Sequence, residues 1–243
     1  MNRPAVRGVL AAAVLGSVAA GGALRAEGCA PAAQNRDPHA ARRLQMVTDQ
    51  IAARGVGDER VLAAMRDVPR HLFVPPAMRS QAYEDHPLPI GHGQTISQPY
   101  IVAYMTEVLR LKPTSRVLEV GTGSGYQAAV LGKVAGQVYT VEILAPLADS
   151  ARMTLASLGY TNVHVRVGDG FAGWPEHAPF DAIMVTAAPE EVPPPLIEQL
   201  AVGGRLVVPV GRVVQQLTLV EKTPKGLVTE RKMPVRFVPL VRQ

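Results

Sequence analysis

The chain has 243 residues, 47% of them hydrophobic and 19% charged, with 22 glycines and 21 prolines spread along it; this excludes collagen, coiled coil and wholesale disorder and leaves ample length for a buried core. A single cysteine, Cys29, excludes an intramolecular disulfide framework, and the six histidines lack metal-ligand spacing, so no metal is expected. Of the formal net charge of +5, Arg3, Arg7 and Arg25 supply three, leaving a scattered +2 that, with only 5% aromatics, gives no support to a nucleic-acid surface.

Met1 to Arg7 carry two arginines, Gly8 to Leu24 carry no charge, and small residues surround Ala26. That is the layout of a secretory signal peptide. The uncharged stretch falls short of the roughly 20 residues that span a bilayer, so an uncleaved membrane anchor is the weaker reading. Glu27 makes a poor lipidation box before Cys29, and an unstructured alanine-rich tail is the alternative to a leader. Ala30 to His39 reads as a linker. The expected division is a leader and linker over 1–39 and one folded domain over 40–243.

Leu44, Val47 and Ile51 recur at helical spacing in a helix from Arg42 to Arg54 that stops at Gly55. A second helix is capped by Asp58, buries Val61, Leu62 and Met65, and ends at Pro69. His71 to Gln94, rich in proline and glycine, reads as a long loop of the kind that is often functional. Ser97 is then placed as the cap of a helix over Tyr100 to Leu111, with Pro99 in its first turn. From Arg116 onward strands alternate with helices: strands at Arg116–Val120, Val138–Ile143, Val163–Val167, Phe180–Thr186 and Arg205–Val210, helices at Tyr126–Ala135, Ala145–Leu158 and Pro195–Leu200. The alternation predicts an α/β fold with a doubly wound, mostly parallel sheet. Gln216–Glu221 and Val235–Val241, with no helix between them, predict an antiparallel C-terminal edge, and the segment before Arg116 an N-terminal helical addition.

Gly121-Thr-Gly-Ser-Gly125 lies at a strand-to-helix turn, where glycines let the backbone approach a ligand and free amides face outward. The dinucleotide fingerprint requires glycine at 126, where Tyr126 stands, which favours an adenosine cofactor without a pyrophosphate. Glu142, at the end of the next strand, is placed to accept ribose hydroxyls. Glu119, just before the loop, is placed to attract a cationic sulfonium, and Asp169 and Gly170 lie at the same sheet edge, where Asp169 could meet adenine or simply form a turn. These features fit S-adenosylmethionine better than NAD. Thr122 and Tyr126 exclude a serine-hydrolase elbow at Ser124, and no Gly-Lys-Ser/Thr follows for a phosphate loop.

Leu88-Pro-Ile-Gly-His-Gly-Gln-Thr-Ile-Ser-Gln-Pro-Tyr100, Val117 to Tyr126, Pro179 to Pro189, Gly203 to Gly211 and the Arg236-Phe-Val-Pro-Leu240 tail together resemble the protein-L-isoaspartate O-methyltransferase family from about Arg42 onward. The resemblance implies a Rossmann-like class I methyltransferase domain with Ser97 as the active-site residue. Gln94, Thr95 and Ile96 would then line the cleft, and Glu119, Gly121, Gly123, Gly125, Glu142, Asp169 and Gly170 would contact S-adenosylmethionine and its product S-adenosylhomocysteine. It implies methyl transfer to the free α-carboxylate of L-isoaspartyl and D-aspartyl residues in damaged proteins, initiating repair. A monomer and a cytoplasmic location are expected, the latter from cofactor supply and against the leader, whose own signal is export to the periplasm. A methyltransferase with another acceptor and an exported, non-catalytic binding protein remain the alternatives.

Overall fold

The computed structural model describes residues 37–242, so the leader-like segment and Cys29 lie outside the described residues. Helix α1 (Ala40–Gln45) runs without interruption into a π-helical turn (Met46–Ile51) and a 3-10 turn (Ala52–Arg54), ending at Gly55 with φ +95°. The wider π turn rotates the apolar face from the regular 3.6-residue phase. Met46, Val47 and Ile51 are therefore buried, whereas Leu44, expected on that face, is 54% exposed. In α2 (Glu59–Asp67) the Asp58 carboxylate accepts the Arg60 amide at 2.9 Å and caps the helix as expected.

The stretch expected to be loop between His71 and Gln94 is partly a hairpin. Strands β1 (Leu88–Gly91) and β2 (Gln94–Ile96) pair antiparallel. Their turn residues, His92 (φ +52°) and Gly93 (φ +70°), are both left-handed, as the two-residue turn matching strand twist requires. Helix α3 (Pro99–Val108) has Gln98 at its N-cap and no side-chain cap, so the capping role expected of Ser97 is not realised. Pro99, with no N–H to satisfy, starts the helix.

Strand β3 (Arg116–Val120), α4 (Tyr126–Val134), β4 (Gln137–Glu142), α5 (Ala145–Ser157), β5 (Val163–Val167), β6 (Phe180–Val185), α6 (Pro194–Gln199), β7 (Leu200–Val210), β8 (Gln215–Thr223) and β9 (Gly226–Val235) complete the chain. The seven-stranded sheet runs β5-β4-β3-β6-β7-β8-β9, parallel from β5 to β7 and antiparallel at β8 and β9. The edge is antiparallel as predicted, but its last strand is Gly226–Val235 and not Val235–Val241. The chain turns back at once from β8 over Thr223 to Gly226 and pairs, which leaves 236–241 free to leave the sheet. Connections from β3 go to β4 on one side and later to β6 on the other, so the crevice of this open sheet lies beyond the carboxyl ends of β3 and β6.

The central strands β3, β6 and β7 are buried on both faces, whereas the edge strands β5 and β9 are largely half-buried or exposed. Val117, Ala182, Met184 and Val207 pack with α2, α3 and α4 residues such as Met65, Met105 and Leu131. Leu118, Val120, Ile183, Val185, Leu206 and Val208 form the opposite layer with Phe180 and Leu196. Phe180 is fully buried there. Phe180→Ala should lower the unfolding free energy by about 3–5 kcal/mol in denaturant titration, the cost of a large aromatic cavity.

Candidate active site

At the end of β3 the chain turns on Gly121, which has φ +97°. A Cβ there would stand 2.3 Å from Thr186 Oγ1, so only glycine lets β3 and β6 close to this distance. The Thr186 hydroxyl is within hydrogen-bond distance of the carbonyls of Gly121 (2.7 Å) and Val120 (3.0 Å) and ties the two strand ends together. Gly125, also left-handed (φ +86°), is the N-cap of α4.

Glu142, nearly buried at the end of β4, accepts the amide of Gly123 at 2.8 Å and that of Leu144 at 3.0 Å. Its carboxylate thereby ties the glycine loop to the chain beyond β4, and each oxygen keeps further acceptor capacity for a hydroxylated ligand. A cavity of about 200 Å³ opens here, lined by Gly121, Gly123, Glu142, Leu144, Gly170 and Leu240. At Gly170 a Cβ would meet Val120 Cγ1 at 2.4 Å, so glycine is what allows this backbone to lie against β3. Glycine backbone on one side, a carboxylate at the strand end and aliphatic walls from Val141, Ile143 and Leu240 fit an adenosine group.

Gln94 and Thr95 line this cavity from the hairpin. Thr95 also lines a second cavity of about 450 Å³, with Ser97, Gln98, Ile101, Thr186, Arg236 and Phe237 among its walls. A small recess bordered by Ile96, Ser97, Gly121 and Gly123 shares Thr95 and Thr186 with both. The structure thus brings together Gln94, Thr95, Ile96, Ser97, Gly121, Gly123, Glu142 and Gly170. Three expected contacts stand apart from the cavity walls. The Asp169 carboxylate accepts the Phe171 amide at 2.9 Å and shapes its own turn. Gly125 sits at the start of α4, and Glu119 lies underneath the loop.

Glu119 is fully buried and accepts the Thr140 hydroxyl at 2.5 Å, and the Thr140 and Thr122 hydroxyls are 2.6 Å apart. Burial pushes the Glu119 carboxyl up to about 8, the Glu142 carboxylate acts in the same direction, and the Thr140 hydrogen bond opposes both. Glu119 is therefore mostly protonated at neutral pH and presents no negative charge to the cavity.

The sequence alone gives no role to Thr186 or to Val238–Val241, which wall the 200 Å³ cavity. Both lie in segments that resemble the family, but no spacing rule says that a C-terminal tail returns across the sheet edge. A wider cavity of about 750 Å³, beyond Pro239 and Leu240 and including Phe171, Arg212 and Arg242, holds none of the expected site residues. Among the described residues there is no group of three or more His, Cys, Asp or Glu able to hold a metal, and no helix is long and apolar enough to cross a membrane.

Residues 41–243 match the family described as Protein-L-isoaspartate(D-aspartate) O-methyltransferase. The chain belongs to this family. Protein-L-isoaspartate O-methyltransferase of Gloeobacter violaceus is 61% identical over 200 residues, 82% of this chain and 98% of the relative. The protein of the same name from Synechococcus sp. is 61% identical over 213 residues, covering 84% and 87%. Protein-L-isoaspartate O-methyltransferase 2 of Anaeromyxobacter sp. is 55% identical over 234 residues, 96% of each chain, so that similarity reaches into the N-terminal segment. Among solved structures, a protein-L-isoaspartate O-methyltransferase superimposes with a TM-score of 0.74 at 33% identity, over 82% of this chain and 65% of the other. A Plasmodium falciparum structure of the same methyltransferase class, in complex with S-adenosyl-L-homocysteine, gives a TM-score of 0.70 at 27% identity over 83% and 99%. The family's class I methyltransferase fold is the doubly wound sheet described above.

The raised Glu119 pKa has a stability consequence. Between the ordinary value of 4.5 and about 8 the folded state holds a proton that the unfolded chain has released, so folding stability falls as pH rises through that window. Glu119→Gln, neutral at every pH, should flatten this fall in urea titrations between about pH 5 and pH 8.

Proposed function

We propose that the chain transfers a methyl group from S-adenosylmethionine to the free α-carboxylate of L-isoaspartyl residues, and to D-aspartyl residues, in damaged proteins, and so starts their repair. The observation that carries this reading is the juncture at Ser97. Ser97 borders both a recess shared with Gly121 and Gly123 and the 450 Å³ cavity, which would take the peptide.

When bound, S-adenosylmethionine supplies a methyl group carried on a positively charged sulfur. Gly121, Gly123, Glu142 and Gly170 would hold its adenosine portion, and Gln94 and Thr95 would close over it from the hairpin. The acceptor α-carboxylate, which ordinarily titrates at about pH 3.5, is ionised at neutral pH and requires no general base. Ser97 acts as a hydrogen-bond donor that orients this carboxylate, not as a nucleophile. Orientation of two reactants in a water-poor site contributes on the order of 7–11 kcal/mol to such reactions. The β1–β2 hairpin, whose turn residue His92 lines the cofactor cavity beside Gln94 and Thr95, serves as the lid that excludes water.

The methyltransferase domain is assigned to 40–243 and residues 1–39 to a leader and linker. The protein works as a monomer in the cytoplasm, where S-adenosylmethionine is made; the alternative, export through residues 1–26, is decided by fractionation and N-terminal sequencing of the native protein.

Incubation with methyl-labelled S-adenosylmethionine should place base-labile label on an isoaspartyl peptide and none on its aspartyl twin. Label on neither peptide, with cofactor binding intact by calorimetry, would overturn the assignment of the acceptor. Ser97→Ala should lower kcat/KM for the isoaspartyl peptide by about 10–100-fold, the weight of one hydrogen bond to a charged group, with unchanged unfolding.

A further inference from the structure

The tail that leaves the sheet after Val235 crosses the edge of the site and walls both cavities. Val238 to Val241 line the 200 Å³ cavity proposed for the cofactor, and Pro234 to Val238 line the 450 Å³ cavity proposed for the acceptor. Two sets of hydrogen bonds hold this strap outside the regular sheet. At one, the Ala188 amide donates to the Val238 carbonyl at 2.8 Å and the Leu240 amide donates to the Ala188 carbonyl at 2.9 Å. At the other, Gln215 holds Phe237 by both backbone groups. Its Nε2 donates to the Phe237 carbonyl at 3.0 Å, and the Phe237 amide donates to its Oε1 at 2.6 Å.

Gln215 is 8% exposed and begins β8, where its backbone pairs with Val235. Its side-chain amide does for Phe237 what a neighbouring strand would do, just beyond the point where β9 stops. Among the described residues no other side chain hydrogen-bonds the backbone of 236–242. Gln215 is therefore the strap's one side-chain hydrogen-bond latch among the described residues, next to Val238, which walls both cavities; farther along, the Arg242 guanidinium lies 4.4 Å from the Phe171 ring centre.

We infer that Gln215 is a positioning residue of the transfer reaction: by gripping Phe237 it sets the strap where one wall serves cofactor and acceptor at once. This inference rests on the proposed function for the acceptor half, whereas the cofactor half stands on the cavity alone. Gln215 touches neither ligand cavity's contents through this contact; it acts through the strap. Loss of the latch raises the share of molecules whose strap is open, and both ligands then bind to a smaller competent fraction.

The test uses Gln215→Met, which keeps the length of the side chain and removes both hydrogen bonds. In the full-length, ligand-free protein the Leu240 amide, whose own partner Ala188 is untouched, should exchange with solvent about tenfold faster while amides of β3 and β6 keep their rates. S-adenosylhomocysteine affinity by calorimetry and the KM for isoaspartyl peptide should weaken together by several-fold, with kcat changed by less than about twofold. Uniform acceleration of all amides with unchanged ligand affinity would mean a purely structural role and would overturn the inference. If Gln215→Met does not fold, the wild-type chain supplies the measurement: S-adenosylhomocysteine should slow Phe237 and Leu240 exchange by a common factor. Slowing at Leu240 alone would then count against the latch. A wild-type chain that methylates no isoaspartyl peptide, together with a Gln215→Met protein that still loosens Leu240 and weakens S-adenosylhomocysteine, separates the two claims: the strap role stands and the acceptor assignment falls.

Discussion

The close approach of β6 to β3 at Thr186 and Gly121 is the contact on which the rest of the site depends. Two parallel strands end side by side, and the threonine hydroxyl reaches the last carbonyls of its neighbour across a gap that a β-carbon would fill. Because β4 departs to one side of β3 and β6 lies on the other, this closure leaves a crevice above it instead of a continuous surface. The glycine loop, Glu142, the hairpin and the C-terminal strap each border that crevice, and backbone hydrogen bonds fasten the loop and the strap to it.

Buried polar groups do the positioning. Glu142 uses its carboxylate to draw the amides of Gly123 and Leu144 towards one point, and Gln215 uses its amide to hold Phe237. Glu119 acts from below: uncharged in its buried setting, it anchors Thr140, whose hydroxyl meets that of Thr122 inside the glycine loop. A charged group there would have to be desolvated without a counter-ion, and the protein holds it neutral instead. The reaction asks for this kind of scaffold. A carboxylate already ionised and a methyl group already activated require alignment and exclusion of water more than they require proton transfer, so a site built from backbone, hydroxyl and amide groups suffices.

Much was legible in the sequence. The alternation from Arg116 onward predicts the strand and helix order, with most boundaries good to a residue or two, because the apolar runs of the central strands match their burial on two covered faces. That Gly121, Gly123, Glu142 and Gly170 lie together was legible, since each stands at or just beyond the carboxyl end of a strand. The misplacements share a cause, a neighbour that overrides the local rule. The 3.6-residue period that would turn Leu44 inward is not kept across the π turn, and Ser97 stands one residue before the N-cap position, which Gln98 takes because Pro99 starts the helix. Val235–Val241 looks like a strand by composition, yet β9 already occupies the edge of β8, and that run finds its hydrogen bonds at Ala188 and Gln215 instead.

Features that are local or periodic follow from the chain alone: the class of fold, the glycine turn, the absence of a dinucleotide fingerprint, and a set of segments specific enough to indicate the family. Which of those residues share a cavity was settled only by packing in three dimensions. Asp169 uses its carboxylate on its own turn, Glu119 lies beneath the loop and not at its surface, and Thr186 and the strap, far apart in the chain, supply walls of the same site. The physical reason is that burial and hydrogen-bond partners are properties of neighbours in space. Those neighbours are set when β3 and β6 close and the tail folds back across them, and no residue spacing along the chain encodes that return.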